Sequence, residues 1–175
     1  MHIVIAAITA IAGLIWALNS LQRSGFDLNS LNPFYWIRRK RWEEKQINPL
    51  YAVDTPRELV ALLMFAVQRL AGDPTEEQKA NMLGLYQSEL KFDVKNAQEM
   101  YLLASHLLST DPNYMHKVPE LTAPAFQTIS QEQLSSVYGL VEGSATFANT
   151  PNTDQTAFLD AVAKAIEKHR NTQAW

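Results

Sequence analysis

The stretch that decides the fold is LLMFAVQRLAGDPTEEQKANMLGLYQSEL, residues 62–90. Its apolar run ends in a glycine, and Asp73-Pro74 then leads into Glu76 and Glu77. An Asp before a proline is typical of a helix start, and the helix dipole favours acidic residues in the first turn. The stretch therefore predicts two helices joined by a tight turn, with Asp73 capping the second helix.

Similar helix starts recur along the rest of the chain. They are Thr55-Pro56, Asp111-Pro112, Ser130–Gln133 and Asn152–Gln155. Apolar residues at helical spacing accompany them, and no stretch alternates like a half-buried strand. We therefore predict an all-α domain over residues 50–175. Its helices are expected near 56–70, 75–89, 95–109, 131–147 and 153–169, with a less regular piece over 112–128 that is broken by Pro119 and Pro124.

An internal repeat supports this reading of the domain. A shift of 77 residues aligns 71–78 with 148–155, so that an alanine, a proline, an acidic residue and a glutamine coincide. Two helical hairpins related in this way would bury their apolar stripes against each other. Chance similarity between two proline-containing helix starts is the alternative.

Composition excludes several classes of protein. The 175 residues contain no cysteine, which removes disulfide frameworks and thiolate metal sites. The net charge of −3 argues against a dedicated nucleic-acid-binding protein. The charge is uneven, because residues 1–49 carry six basic and three acidic side chains whereas the remainder carries nine basic and fifteen acidic ones. Two parts that meet different environments are therefore expected.

The N-terminal 22 residues contain no Asp, Glu, Lys or Arg and predict a transmembrane anchor. A cleaved signal peptide and a buried core helix are the alternatives; a signal peptide would need a basic start and a small-residue cleavage site. Basic residues follow the apolar stretch, which predicts a periplasmic N-terminus and a cytoplasmic domain. We expect a single-pass protein of a bacterial inner membrane.

Residues 23–49 form a predicted basic and aromatic juxtamembrane segment. The side chains expected at the lipid headgroups are Trp36, Arg38, Arg39, Lys40, Arg41 and Trp42. An ordinary stop-transfer flank and a specific site for lipid or protein are both open interpretations. The expected partners are membrane lipids and other membrane-protein subunits, with no nucleic acid.

No arrangement of residues predicts catalysis. The six glycines are scattered singly, so that a phosphate-binding loop is absent from the sequence. His106, His116 and His169 lack the helical spacing of a metal-binding pair, and no serine lies in a nucleophile elbow. We therefore predict no catalytic residue, no metal site and no cofactor.

The residues over about 55–168 resemble the TerB-like (tellurite-resistance) helical domain family. The stretch 62–90 is similar to the first hairpin of that domain, and VYGLVEGSATFANTPNTDQTAFLDAVAKAI, residues 137–166, is similar to the second. Membrane-anchored members exist, some with a C-terminal J domain, but this chain has no His-Pro-Asp tripeptide. The resemblance implies a helical bundle of two hairpins and metal binding through acidic residues of their turns.

This sequence departs from the family pattern in both turns. Ala71 stands where an Asp is expected before the glycine, and Asn149-Thr150 replaces the second Asp-Gly. The acidic residues retained at matching positions are Asp73, Glu76, Glu77 and Asp154. Because hard cations require several converging carboxylates, we expect folding without metal and divalent-ion affinities no better than about millimolar.

The function expected from the sequence is that of a membrane-anchored cytoplasmic binding or scaffold module. It would be an accessory or assembly subunit of an inner-membrane complex, or an envelope-stress protein. A divalent-metal-responsive module is the first alternative. An enzyme is the second, although no motif supports it.

Overall fold

Six α-helices and two short 3₁₀ helices make up the described residues, 48–147 and 150–173, of a computed structural model. The α-helices are α1 Pro56–Arg69, α2 Glu76–Ser88, α3 Val94–Ser109, α4 Val118–Phe126, α5 Gln131–Ala145 and α6 Thr153–Gln173. The 3₁₀ helices are Pro49–Ala52 and Tyr114–His116. This part of the chain contains no strand, so the predicted all-α class is confirmed.

Helix α1 is the centre of the domain. Every residue from Leu59 to Gln68 is buried, and α1 contacts all five other α-helices, most extensively α3 and α5. A helix that is apolar on all sides must be surrounded, since no face of it is suited to water. The apolar run in the decisive stretch therefore forms the core helix around which the others pack.

The end of α1 is set by a glycine turn. The last carbonyl groups of a helix lack intrahelical partners. The carbonyls of Gln68 and Arg69 accept the backbone N–H groups of Ala71 and Gly72, each at 3.0 Å. Gly72 has a φ of +118°, a conformation that other residues rarely adopt. The glycine therefore allows the chain to turn back directly after α1.

Side chains from two distant elements bond the preceding carbonyls of α1. The Tyr114 hydroxyl donates to the Ala66 carbonyl at 3.2 Å, and Gln155 Nε2 donates to the Val67 carbonyl at 3.0 Å. A buried carbonyl without a partner would destabilise the fold. These two bonds therefore connect the end of α1 to the Tyr114–His116 turn and to α6.

The residue that caps α2 lies two positions after the predicted one. Thr75, not Asp73, caps the helix: its hydroxyl accepts the Gln78 N–H at 3.2 Å, and Gln78 Oε1 accepts the Thr75 N–H at 2.8 Å. The pattern of a cap followed three residues later by Glu or Gln fits both positions, since Glu76 follows Asp73 and Gln78 follows Thr75, and the structure forms the box at Thr75. The prediction of Asp73 as the cap is therefore wrong.

Other predicted helix starts are confirmed in part. Ser130 and Gln133 form the expected capping box of α5. Thr55 lies at the N-cap of α1, but its side chain makes no capping hydrogen bond. Pro56 at the first helical position supplies the required backbone angle without a cap, since its φ is fixed by the ring.

The segment predicted to be irregular, 112–128, contains helix α4. Pro119 lies in the first turn, where a missing N–H removes no helical bond. Pro124 lies inside the helix and has no N–H to donate to the carbonyl of Glu120, a residue that is exposed. Burial of one face offsets this loss. The buried residues are Val118, Leu121, Thr122, Ala125 and Phe126.

Candidate functional site

The residues predicted to contact lipid lie outside the described part of the chain. They are Trp36, Arg38, Arg39, Lys40, Arg41 and Trp42. The stretch 1–22, predicted to be the anchor, also lies outside it. Among the helices described between 48 and 173, none combines the length and the apolar character needed to cross a bilayer. The anchor and the lipid contact therefore remain predictions.

The four acidic residues of the predicted turns lie on the surface near one end of α1. Asp73, Glu76 and Glu77 follow α1 directly, and α6, which carries Asp154, begins beside the same helix end. All four side chains are exposed. Over residues 48–147 and 150–173, no group of three or more His, Asp or Glu is arranged to hold a metal ion. The fold brings the two turns near each other, but their described residues do not form a metal site.

The weak metal binding expected from the sequence remains a prediction. Within the acidic turn, Glu76 pairs with Lys79 at 3.6 Å on the surface. Asn149, one of the departures from the family pattern, lies outside the described residues. Calorimetric titration of the full chain with calcium, manganese and zinc would test the expected affinity.

Two amide side chains connect the start of α6 to the core. Asn152 Nδ2 donates to the Leu70 carbonyl at 3.0 Å. Gln155 Nε2 donates to the carbonyls of Val67 and Ala145, at 3.0 and 3.4 Å, while its Oε1 accepts the Asn152 N–H at 3.0 Å. Helices α1, α5 and α6 are therefore joined at one buried point.

A polar cluster connects the first described residues to the turn after α3. Asp111 Oδ2 accepts the Tyr51 hydroxyl at 2.7 Å and Lys117 Nζ at 2.8 Å, and Oδ1 accepts the Asn113 N–H at 2.9 Å. The Lys117 ammonium lies 5.6 Å from the centre of the Tyr51 ring, within cation–π range. We call Tyr51, Asp111 and Lys117 the Asp111 clamp.

The clamp shifts the pKa of each of its members. Hydrogen bonds from Lys117, from Tyr51 and from a backbone N–H lower the pKa of Asp111 to about 2. Burial, followed by the hydrogen bond to Asp111, raises the pKa of Tyr51. The bond to Asp111 also raises the pKa of Lys117. At neutral pH the cluster therefore holds fixed protonation states, which suits a structural role better than proton transfer.

A groove of about 400 Å³ runs between α6 and the segment that leads into α4. We call it the α4–α6 groove. Its apolar lining residues are Met115, Val118, Pro119, Ala157, Ala161 and Ala165. Its basic lining residues are His116, Lys164 and Lys168. The lining contains no carboxylate, although the residues from 50 onward carry fifteen acidic and nine basic side chains.

The two lysines of the groove, Lys164 and Lys168, are exposed. Within the described residues, neither Lys164 nor Lys168 is in an ion pair. Both lysines also line a second depression of the α6 surface, together with Glu167. The groove therefore combines an apolar floor with an excess of positive over negative charge at its edge.

The wall of the groove opposite α6 is held in place by two contacts. Tyr114 bonds the Ala66 carbonyl, and its ring packs edge-on against Phe158 at a centroid distance of 6.2 Å. Lys117, at the start of α4, is held by the Asp111 clamp. Since Met115 and His116 lie between these two residues, the wall is fixed on both sides.

The α4–α6 groove was not among the features predicted from the sequence. One signal was available, because Ala157, Ala161 and Ala165 recur every four residues beside Lys164 and Lys168. The opposite wall falls in the segment that was predicted to be irregular. The groove forms only when these two parts, distant in sequence, pack together.

Comparison of the chain with protein-family models, with curated proteins and with solved structures found no match.

Proposed function

We propose that this protein is a membrane-anchored cytoplasmic binding or scaffold module of a bacterial inner membrane. In this proposal it serves as an accessory or assembly subunit of a membrane complex, or in the response to envelope stress. It works by binding, without catalysis and without a cofactor. The observation that carries the proposal is the α4–α6 groove, whose apolar floor and exposed lysines together suit a ligand.

The groove favours binding because both of its features are unusual for a surface that faces only solvent. Ligand sites are concave and mostly apolar, with a small number of placed polar or charged groups, and the groove has this composition. Lys164 and Lys168 border its apolar lining without carboxylate partners in the described residues. A ligand that covers the alanines and supplies negative charge would satisfy both features at once.

The TerB-like part of the proposal draws support from the two hairpins, α1–α2 and α5–α6. The capping box of Thr75 and Gln78 has its counterpart in Asn152 and Gln155, at the 77-residue shift of the repeat. Helices α1 and α5, one from each hairpin, pack closely together. We propose that the two hairpins form a TerB-like bundle in which the metal-binding turns have lost acidic residues.

The anchor is proposed from the sequence. The uncharged first 22 residues precede a basic cluster at 38–41, and basic residues collect on the cytoplasmic side of a membrane. A reporter enzyme that is active only in the periplasm, fused after Trp175, should remain silent. Strong periplasmic activity would contradict the proposed orientation.

Site-specific crosslinking in native membranes tests the binding role. A photoreactive amino acid replaces Ala157, which is exposed at the groove, in the full chain expressed in its host. Irradiation should give a defined crosslinked product with another membrane-associated protein. The same amino acid at Gln98, exposed on α3 and outside the groove, serves as the matched control and should not give that product. Absence of any specific product from the groove would contradict the proposed function.

A further inference from the structure

We infer, on the basis of the proposed function, that the α4–α6 groove receives an amphipathic helix of a partner protein that carries acidic residues four positions apart beside its apolar face. The groove is elongated along α6. Ala157, Ala161 and Ala165 lie four residues apart on one side of that helix, over two turns or roughly 12 Å at ~1.5 Å per residue. Such a strip matches the apolar face of a second helix.

The small side chains on the floor suit a helix in particular. Alanine lets the backbone of a neighbouring helix approach closely, and helix-in-groove docking uses apolar anchors at three- and four-residue spacing. Met115 and Pro119 form the facing wall, which gives the strip two sides. A helix placed between these sides would bury its apolar residues on both.

The charges specify the partner further. Lys164 and Lys168 are four residues apart on α6, so their side chains leave the same face of the helix and run along the strip. Carboxylates four apart on a docked helix would pair with both lysines. Basic residues at those positions would meet like charge, since both charged lining residues that face them are lysines.

The shape of the groove favours a helix over a lipid surface. A bilayer meets the protruding parts of a protein, whereas the floor here is recessed: Val118 is fully buried and Ala165 is 8% exposed. The exposed lysines alone would reach lipid headgroups, leaving the apolar floor uncovered. A docked helix covers the floor and the lysines together.

The test uses the full chain in nanodiscs of neutral phosphatidylcholine and three designed helical peptides. The peptides share one apolar face and carry glutamate, glutamine or lysine at two positions four apart beside it. We expect the glutamate peptide to bind at least about tenfold more tightly than the lysine peptide, with the glutamine peptide between them. Raising the salt concentration should reduce the difference. Empty nanodiscs control for binding to lipid.

Substitutions then locate the site. Lys164→Glu combined with Lys168→Glu should invert the preference, so that the lysine peptide binds more tightly than the glutamate peptide. Lys79→Glu with Lys95→Glu makes the same change of charge on α2 and α3, outside the groove, and should leave the preference unchanged. Ala161→Phe, which fills the strip, should abolish binding of all three peptides while the thermal melting of the domain is retained.

Equal binding of all three peptides to the unchanged protein, or binding of none of them, would contradict the inference. This comparison needs no variant, so it holds even where a variant fails to fold.

Two other occupants of the groove would also overturn the inference. Binding of the full chain to anionic vesicles that is lost in Ala161→Phe would assign the groove to lipid. A dimer in sedimentation that dissociates in Ala161→Phe would assign the groove to a second copy of the chain.

If crosslinks form in membranes but the glutamate peptide fails to bind, the inference fails and the proposed binding role stands. If the glutamate peptide binds but no groove crosslink forms, the proposed role fails and the recognition chemistry stands.

Discussion

Gln155 and Gln68 are both buried, with 3% of each residue exposed, but they differ in whether their amide groups are hydrogen-bonded. Gln155 donates to two carbonyls and takes part in the capping box of α6. The Gln68 amide nitrogen and oxygen have no hydrogen-bond partner within the described residues. Burial of the same side chain therefore stabilises the fold at one site and opposes it at the other, because the partners decide the sign.

The largest effect is expected from Gln155→Met. Methionine fills a similar volume but leaves the buried carbonyls of Val67 and Ala145 without their side-chain donor. We expect the free energy of unfolding to fall by about 3 kcal/mol, the combined effect of a lost cap and buried unpaired carbonyls. Urea denaturation of the full chain, followed by circular dichroism, measures it. A loss below about 1 kcal/mol would mean that these bonds are weak or replaced by water.

The same substitution at the other glutamine should have the opposite sign. Gln68→Met removes two buried polar atoms that lack partners and retains the packing volume. We expect the free energy of unfolding to rise by about 1 kcal/mol. The same denaturation experiment applies, so the two variants form a matched pair. Destabilisation by Gln68→Met would show that Gln68 has a partner in the folded protein.

A third glutamine, Gln78, separates the effect of a capping box from that of the tertiary contact made by Gln155. Gln78 belongs to the box that is equivalent to that of Gln155, but it is not fully buried and bonds only Thr75. Gln78→Met should lower the free energy of unfolding by about 0.5 kcal/mol, as expected for loss of one half of a surface cap. Hydrogen exchange of the first turn of α2 should rise locally. A loss as large as that of Gln155→Met would mean that the box, and not the tertiary contact, dominates at both sites.

The smallest effect concerns acid. The three glutamines do not titrate, whereas Asp111 has a pKa lowered to about 2 in the fold and near ~3.9 when unfolded. Its stabilisation is therefore complete above about pH 4 and is lost as the pH falls towards about 2. Asp111→Asn should flatten the decline of stability over this range. An unchanged pH profile would show that the Asp111 clamp does not form in solution.

The parts of the fold that depend on neighbours in sequence were predictable. Apolar spacing indicated five of the six described helices, and the capping boxes of Ser130 and Asn152 were expected from residues three apart. The error at Asp73 arose because Asp73 with Glu76 and Thr75 with Gln78 both fit the pattern of a capping box, so the local sequence does not decide between them. Local pattern therefore gave the helices, and their starts to within two residues.

What depended on tertiary contacts was missed. Helix α4 was hidden by two prolines, whose local effect is outweighed by a buried face that only the assembled domain supplies. The groove needs α4 and α6 side by side, although their sequences are separated by α5. Nor does the sequence distinguish Gln155 from Gln68, since the same residue type is buried at each and only the fold supplies partners.

The first described residues are attached to the domain at several points. Asn48 Oδ1 accepts the Leu50 N–H and the Thr110 hydroxyl, Leu50 is fully buried, and Tyr51 bonds Asp111. In a protein tethered through its N-terminus, as proposed here, a pulling force on the domain enters at this point. Because these contacts precede α1 in the chain, they take up part of a load that the backbone would otherwise carry straight into that helix. We therefore expect the contacts of Asn48 and Tyr51 to break first when the domain is pulled by its N-terminus.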